Sequence, residues 1–212
     1  NIKIITKKPD VTSVDYGFDL EYGSIEDGSN DQSLEAYINM PLGANTAVRV
    51  SAYDLQDGGW IDNELSTKTF TNSGYTIDNS AFAEDDYNEL NKSGYRIRLA
   101  SEIIGQNLDL SMLDQTSEFG GSWETDEAVG PRSNSRFNEE YFDDDFSQIS
   151  LSLSGDLNDN VEYIFTASSF ERDVEYTYDY SEYVEYYNYD GPTYTCDYYD
   201  YYYYYNISGC QD

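Results

Sequence analysis

Any chemistry in this chain must come from carboxylates, phenols and two thiols. There is no histidine, no Cys-x-x-Cys pair, no glycine-rich phosphate loop and no Ser/His/Asp set. General acid–base and nucleophilic catalysis therefore lack their usual players. Paired carboxylates remain, but with 42 acidic side chains close pairs arise from composition alone, and the expectation is that the chain is not an enzyme. Clustered carboxylate oxygens are hard donors that suit Ca²⁺, which takes six to eight oxygen ligands. The clusters are Glu84-Asp85-Asp86, Glu139-Glu140 and Asp143-Asp144-Asp145. The last of these, Asp143, Asp144 and Asp145, is the candidate metal site. The plainer reading is a solvated acidic loop, and the spacing matches no EF-hand.

The phenols concentrate at the C-terminal end. Fifteen of the 24 tyrosines lie from Tyr176 onward, including the run Tyr201 to Tyr205. Tyrosine offers a large flat face and a hydroxyl at low entropic cost, which is why binding loops favour it. Tyr194, Tyr198, Tyr199, Tyr201, Tyr202 and Tyr203 are the candidate ligand-contacting residues. The alternatives are a loop that packs on its neighbours and a patch that contacts another protein. Cys196 and Cys210 lie in the same segment and are expected to form a disulfide in an oxidising compartment.

The elements that must position these residues are strands. Period-two alternation runs through seven segments, each with an apolar and a polar face. They are Val14–Tyr22, Leu34–Met40, Ala47–Asp54, Tyr95–Ser101, Leu108–Asp114, Ile149–Ser154 and Val161–Ser168. In the first, Val14, Tyr16, Phe18, Leu20 and Tyr22 alternate with Asp15, Gly17, Asp19 and Glu21. The fourth sets Tyr95, Ile97 and Leu99 against Arg96 and Arg98, and the sixth sets Ile149, Leu151 and Leu153 against three serines. No run of apolar residues is long enough for a transmembrane helix. A net charge of −31 excludes nucleic acid as a partner, since binding there depends on cations that neutralise phosphates. It also disfavours an ordinary compact soluble domain, while an aromatic content of 17% disfavours disorder.

A soluble sandwich also alternates, so the connections must discriminate. Pro41–Asn45, Ile103–Asn107 and Gly155–Asn160 are short. The connections between them, Gln56–Asn91, Glu118–Asp145 and everything after Asp173, are long, with Gly23–Ser33 the modest exception. Alternating tight turns and long loops, with charges in mid-strand on the polar face, are the pattern of a membrane barrel. An open seven-stranded sheet would leave unpaired edges in hydrocarbon. The remaining strands are therefore expected from residues outside this sequence or from other copies. Arg49, Arg96 and Arg98 are expected to pair with wall or interior carboxylates, with Asp15, Asp19, Glu35 and Asp109 on the same face.

Residues Asn1-Ile2-Lys3-Ile4-Ile5-Thr6-Lys7-Lys8-Pro9 resemble the segment that closes the plug domain of TonB-dependent outer-membrane receptors. The order that follows is similar too: Tyr22-Gly23-Ser24, Met40-Pro41-Leu42-Gly43, Ala47 to Tyr53, and Asp57 to Asn63 at the start of a loop. The resemblance covers residues 1 to about 175 and is poor in the loops. It implies residues 1–9 as the end of a plug and 10–175 as the first barrel strands with their loops. Residues 176–212 match no pattern of that family and are read, from the alternation of connections, as a Tyr/Asp-rich extracellular loop. The implied fold is all-β, about seven antiparallel strands of a larger, 22-stranded transmembrane barrel in a Gram-negative outer membrane. The implied activity is ligand capture and TonB-energised uptake of an iron-siderophore, vitamin, metal or glycan. Its partners would be lipid, lipopolysaccharide, the small-molecule or glycan ligand, and TonB through the missing N-terminal part. Ca²⁺ in the acidic loops, or divalent cations bridging them to lipopolysaccharide, is the one cofactor expectation. The alternative is a surface structural or adhesive protein that assembles through its Tyr-rich loops.

Overall fold

The computed structural model describes residues 6–71, 74–181 and 183. The fold is all-β. Seven long strands, β1 (Asp15–Ser24), β2 (Asn30–Pro41), β3 (Thr46–Asp57), β7 (Leu90–Ile103), β8 (Gln106–Phe119), β10 (Tyr141–Asn158) and β11 (Val161–Thr177), form one sheet in chain order. Every ladder in it is antiparallel. The remaining short strands β4 (Asp62–Asn63), β5 (Thr67–Thr69), β6 (Thr76–Asp78) and β9 (Ser133–Asn134) lie inside the connections.

All seven alternating segments read from the sequence are strands here, each longer than its alternation suggested. The largest extension is in β10, which begins at Tyr141 rather than Ile149. One end of the sheet carries turns of residues 42–45, 104–105 and 159–160; the other carries residues 25–29, 58–89 and 120–140. The 104–105 turn has Ile104 and Gly105 both at positive φ (51° and 73°). That geometry matches the right-handed twist of the flanking strands and closes the hairpin in two residues.

Register turns seven separate alternations into two surfaces. Asp15, Asn39, Arg49, Arg98, Ser111, Ser150 and Ser168 face one another in sequence from β1 to β11. This is one polar row across the whole sheet. The adjacent row is Tyr16, Ile38, Val50, Ile97, Met112 and Ile149, and the one below it is Met40, Val48, Leu99, Leu110, Leu151 and Ala167. A slip of one residue in any ladder would mix the two faces.

The burial of the two faces is the reverse of a soluble domain. On the apolar face Tyr16 is 75% exposed and Ile149 50%. On the polar face Asn39 is buried, and the side chains of Arg49 and Arg98 are 13% and 14% exposed. Among the described residues the buried apolar side chains are Ala47, Ile61, Phe70, Tyr87 and Phe137. Four of these five belong to the long connections, so the apolar core sits beyond the end of the sheet.

Residues 6–14 lie against the polar face. Asn39 holds them with three hydrogen bonds: its Oδ1 accepts from the backbone N–H of Asp10 (2.9 Å), and its Nδ2 donates to the carbonyls of Asp10 (2.9 Å) and Ser13 (2.8 Å). Arg98 Nη1 donates to the carbonyl and hydroxyl oxygens of Thr6 at 3.0 and 3.1 Å. Asn39→Ala strands these backbone groups and is expected to cost about 1–3 kcal/mol. Hydrogen exchange would register it as lost protection of the Asp10 amide, with the β2–β3 ladder still protected.

Candidate functional site

Two regions combine polar chemistry with defined geometry: the polar face of the sheet and the cap formed by the long connections. On the polar face Arg49 and Arg98 are direct cross-strand partners, an arrangement that is destabilising for like charges. Each is neutralised separately. Arg98 makes a two-pronged ion pair with Asp109, Nε to Oδ1 at 2.8 Å and Nη2 to Oδ2 at 2.5 Å. Arg49 lies 3.8 Å from Asp15 and sits over the ring of Tyr37, 3.9 Å from its centroid. The face opens into two hollows, of about 870 and 540 Å³, and Arg96 and Arg98 line both. The expected pairing of these arginines with wall carboxylates is therefore present for Arg98 with Asp109 and for Arg49 with Asp15.

The cap is built from three connections at one end of the sheet, residues 25–29, 58–89 and 120–140, joined by Asp179 just after β11. In residues 58–89 and 120–140, β4 pairs with β9 in parallel and β5 with β6 antiparallel. Such irregular backbone has many groups without ladder partners, and buried polar groups must be satisfied. Asparagine serves this need because one side chain both donates and accepts. Asn88 Oδ1 accepts from the backbone N–H groups of Trp60 and Ile61 (2.8 Å each). Asn63 accepts from the backbone N–H of Arg136 (2.7 Å) and donates to the carbonyl of Phe82 (2.8 Å). Asn79 accepts from Ser66 N–H (2.6 Å) and donates to the Glu64 carbonyl (2.8 Å). All three asparagines are buried.

Further bonds join one connection to the next. Arg132 donates to the Glu26 carbonyl (2.6 Å) and to Asp27 (2.9 Å). Ser29 N–H donates to the Gly59 carbonyl (2.9 Å) and Phe137 N–H to Asp179 Oδ2 (2.6 Å). At Gly59 the backbone of the 58–89 connection runs so close to Asp86 that a Cβ would collide with the Asp86 carbonyl.

Tyr87, Ser122, Asn134, Arg136 and Glu140 form the buried polar centre of the cap. Tyr87 donates towards Glu140 (3.3 Å) and accepts from Asn134 Nδ2 (2.6 Å). Glu140 Oε2 accepts from Ser122 N–H (3.2 Å) and its Oε1 from Asp179 N–H (3.0 Å). Arg136 Nη2 reaches Glu124 at 2.9 Å, and its Nε lies 3.7 Å from Glu140. Burial opposes charge on Arg136, but Glu140, Tyr87 and Glu124 outweigh it and hold the guanidinium above the ordinary arginine value. Burial pushes the Tyr87 phenol up and Glu140 adds to the rise, against hydrogen bonds from Ser122 and Asn134.

Asp143, Asp144 and Asp145 lie inside β10, not in a loop, which corrects their expected setting. Successive strand residues point to opposite faces, so the triplet cannot converge on one ion. Asp144 instead pairs with Arg172 through Nε (2.6 Å) and Nη2 (2.8 Å). Among the described residues no three metal-ligating side chains are grouped. The other acidic clusters also have structural partners: Asp86 accepts from the Ser29 hydroxyl (2.9 Å), and Glu140 lies in the buried centre of the cap. Tyr194, Tyr198, Tyr199, Tyr201, Tyr202 and Tyr203, and the expected Cys196–Cys210 disulfide, lie outside the described residues.

The sequence reading missed a row of rings on the polar face at the cap end. Phe119, Phe142 and Tyr176 are cross-strand partners from β8 to β11, and the row continues into Trp123 and Tyr178. Aromatic residues at positions 142 and 146, in phase with the polar residues, were the available signal. No family model matches this chain, and no characterised protein or solved structure matches it either.

Gly59→Ala should push the backbone at residue 59 away from Asp86, seen as proteolysis within the cap while the sheet ladders remain protected. Tyr87 gives a pH dependence. Its folded pKa is raised, so its contribution is complete below the ordinary phenol value of about 10 and is lost as pH rises through the raised value. Alkaline titration should loosen the cap in that window, and Tyr87→Phe should remove this transition at a cost of about 1–2 kcal/mol.

Proposed function

We propose that this chain is part of an outer-membrane receptor and transporter of the TonB-dependent kind, contributing barrel wall and the extracellular loops that capture a ligand. The observation that carries this reading is the inverted polarity of the sheet. Apolar side chains such as Tyr16, Ile97, Met112 and Ile149 are exposed along one face, while Asn39, Arg49 and Arg98 on the other are largely buried and paired. Lipid accepts the first surface and a wet or plug-filled interior accepts the second. In water an apolar face of this extent would need a cover.

Three further features support it. Tight turns gather at one end and interlocked long connections at the other. Residues 6–14 run along the polar face, as a strand leaving a plug would. A meander of seven neighbouring antiparallel strands is what a barrel wall requires. In this reading the polar row at Arg49 and Arg98 lines the interior, and the cap meets the ligand first.

The topology is tested by inserting an epitope in the full-length protein at Ala128 in the cap and, separately, at Gly43 in the opposite turn. Antibody binding to intact cells is expected at Ala128 alone; equal binding at both, or at neither, defeats the reading. The two faces also predict unequal tolerance. Met112→Lys on the apolar face should cost about 2–4 kcal/mol in bilayer-folded protein, with Ser150→Lys on the polar face costing far less. Denaturant titration in lipid vesicles measures both. Folding that proceeds equally well without lipid would point instead to a soluble or self-assembling surface protein.

A further inference from the structure

Where the cap meets the rim of the sheet there is a cleft of about 500 Å³, walled by Phe119, Trp123, Phe142 and Tyr178, with Glu124 and Glu140 beside them. That volume suits a small organic molecule, and aromatic walls with a few placed polar groups are the usual construction of such sites. Phe119 lies 6.0 Å from Trp123 and 5.9 Å from Phe142 between ring centroids, and the row extends through Tyr176 (6.2 Å) to Tyr178 (5.5 Å). Trp123 is 64% exposed, so beyond its contact with Phe119 much of the indole is open to solvent.

The charge around these rings selects among ligands. Among the described residues lining the cleft there is no lysine or arginine. Arg136 lies behind the wall and is engaged by Glu140 and Glu124, leaving one net negative charge among the three. The Glu124 side chain is 80% exposed, so its carboxylate remains open to a ligand. The chain as a whole carries −31, a field that concentrates cations and repels anions. Aromatic faces add attraction for a cation through the ring quadrupole, most strongly for tryptophan.

We infer that this cleft binds an organic cation, an ammonium group carried on an apolar body. The apolar part lies against Phe119 and Phe142, and the ammonium group sits at the Trp123 face beside the Glu124 carboxylate. Arg136 and Tyr87 act as positioning residues that fix the two glutamates. The inference deepens the receptor reading by naming a ligand class, and rests on it for the side from which the ligand arrives.

Equilibrium dialysis of the full-length protein in detergent micelles against choline tests it, with 3,3-dimethylbutan-1-ol as the uncharged probe of the same shape. Choline is expected to bind at least tenfold more tightly, and more weakly as salt rises. Trp123→Leu keeps an apolar wall and Glu124→Gln keeps the shape; each should weaken choline at least fivefold and leave the alcohol unchanged. Equal binding of the two probes, no saturable binding of choline, or insensitivity to both substitutions overturns the proposal. Preferential binding of choline by protein that fails the surface-epitope test would retain the site and remove the receptor reading. Surface display without any preference for the charged probe would do the reverse.

Discussion

Strand register is the constraint on which the rest of this structure depends. The side-chain period of a strand is two, so each ladder must be aligned to the residue if its apolar set is to share a surface with the next. Five consecutive ladders carry the row Tyr16, Ile38, Val50, Ile97, Met112 and Ile149 without a break. The same alignment brings Arg49 opposite Arg98, and this in turn accounts for the ion pair to Asp109, the stacking on Tyr37 and the contact with Asp15. The electrostatics of the polar face thus follow from the packing needs of the apolar one.

The few cations of this acidic chain are placed where they hold elements together. Arg98 ties β7 to β8 and to residue 6, Arg172 ties β10 to β11, Arg136 secures the glutamates of the cap, and Arg132 fastens the 120–140 connection to the first. Exposed pairs such as Arg132–Asp27 contribute little individually. The paired arginine of the polar face differs, because loss of Asp109 would leave the largely buried charge of Arg98 without its counterion.

The cap is the one part of the described chain with a packed interior, and it holds Ile61, Phe70, Tyr87 and Phe137 together with Asn63, Asn79, Asn88 and Asn134. Long connections of this length would ordinarily be mobile. Here their backbone groups are satisfied by asparagine amides and their close approaches are made by glycine, which gives the rim beneath them a fixed shape. The aromatic cleft lies on this boundary, with Phe119 from β8, Phe142 from β10, Tyr178 from just after β11, and Trp123 and the two carboxylates from the 120–140 connection.

The seven strands, their order and the apolar face of each were legible in the sequence, because alternation is a local property and each strand pairs with the next long one along the chain. Short and long connections could be counted in the same way. The Asp143-Asp144-Asp145 run looked like loop because three acids in a row, beside Phe142 and Phe146 in phase with the polar face, erase the alternation that marks a strand. Asn63, Asn79, Asn88 and the glycine at 59 looked like ordinary loop residues. Their partners lie across connections with no period to read, and the bond from Arg132 to Glu26 spans 106 residues. By itself the sequence determined the sheet and its two faces, since these follow from side-chain period and nearest-neighbour pairing. Only the tertiary structure decided the interlocked cap, the counterion of each arginine and the aromatic cleft, since these depend on contacts between distant segments of irregular backbone.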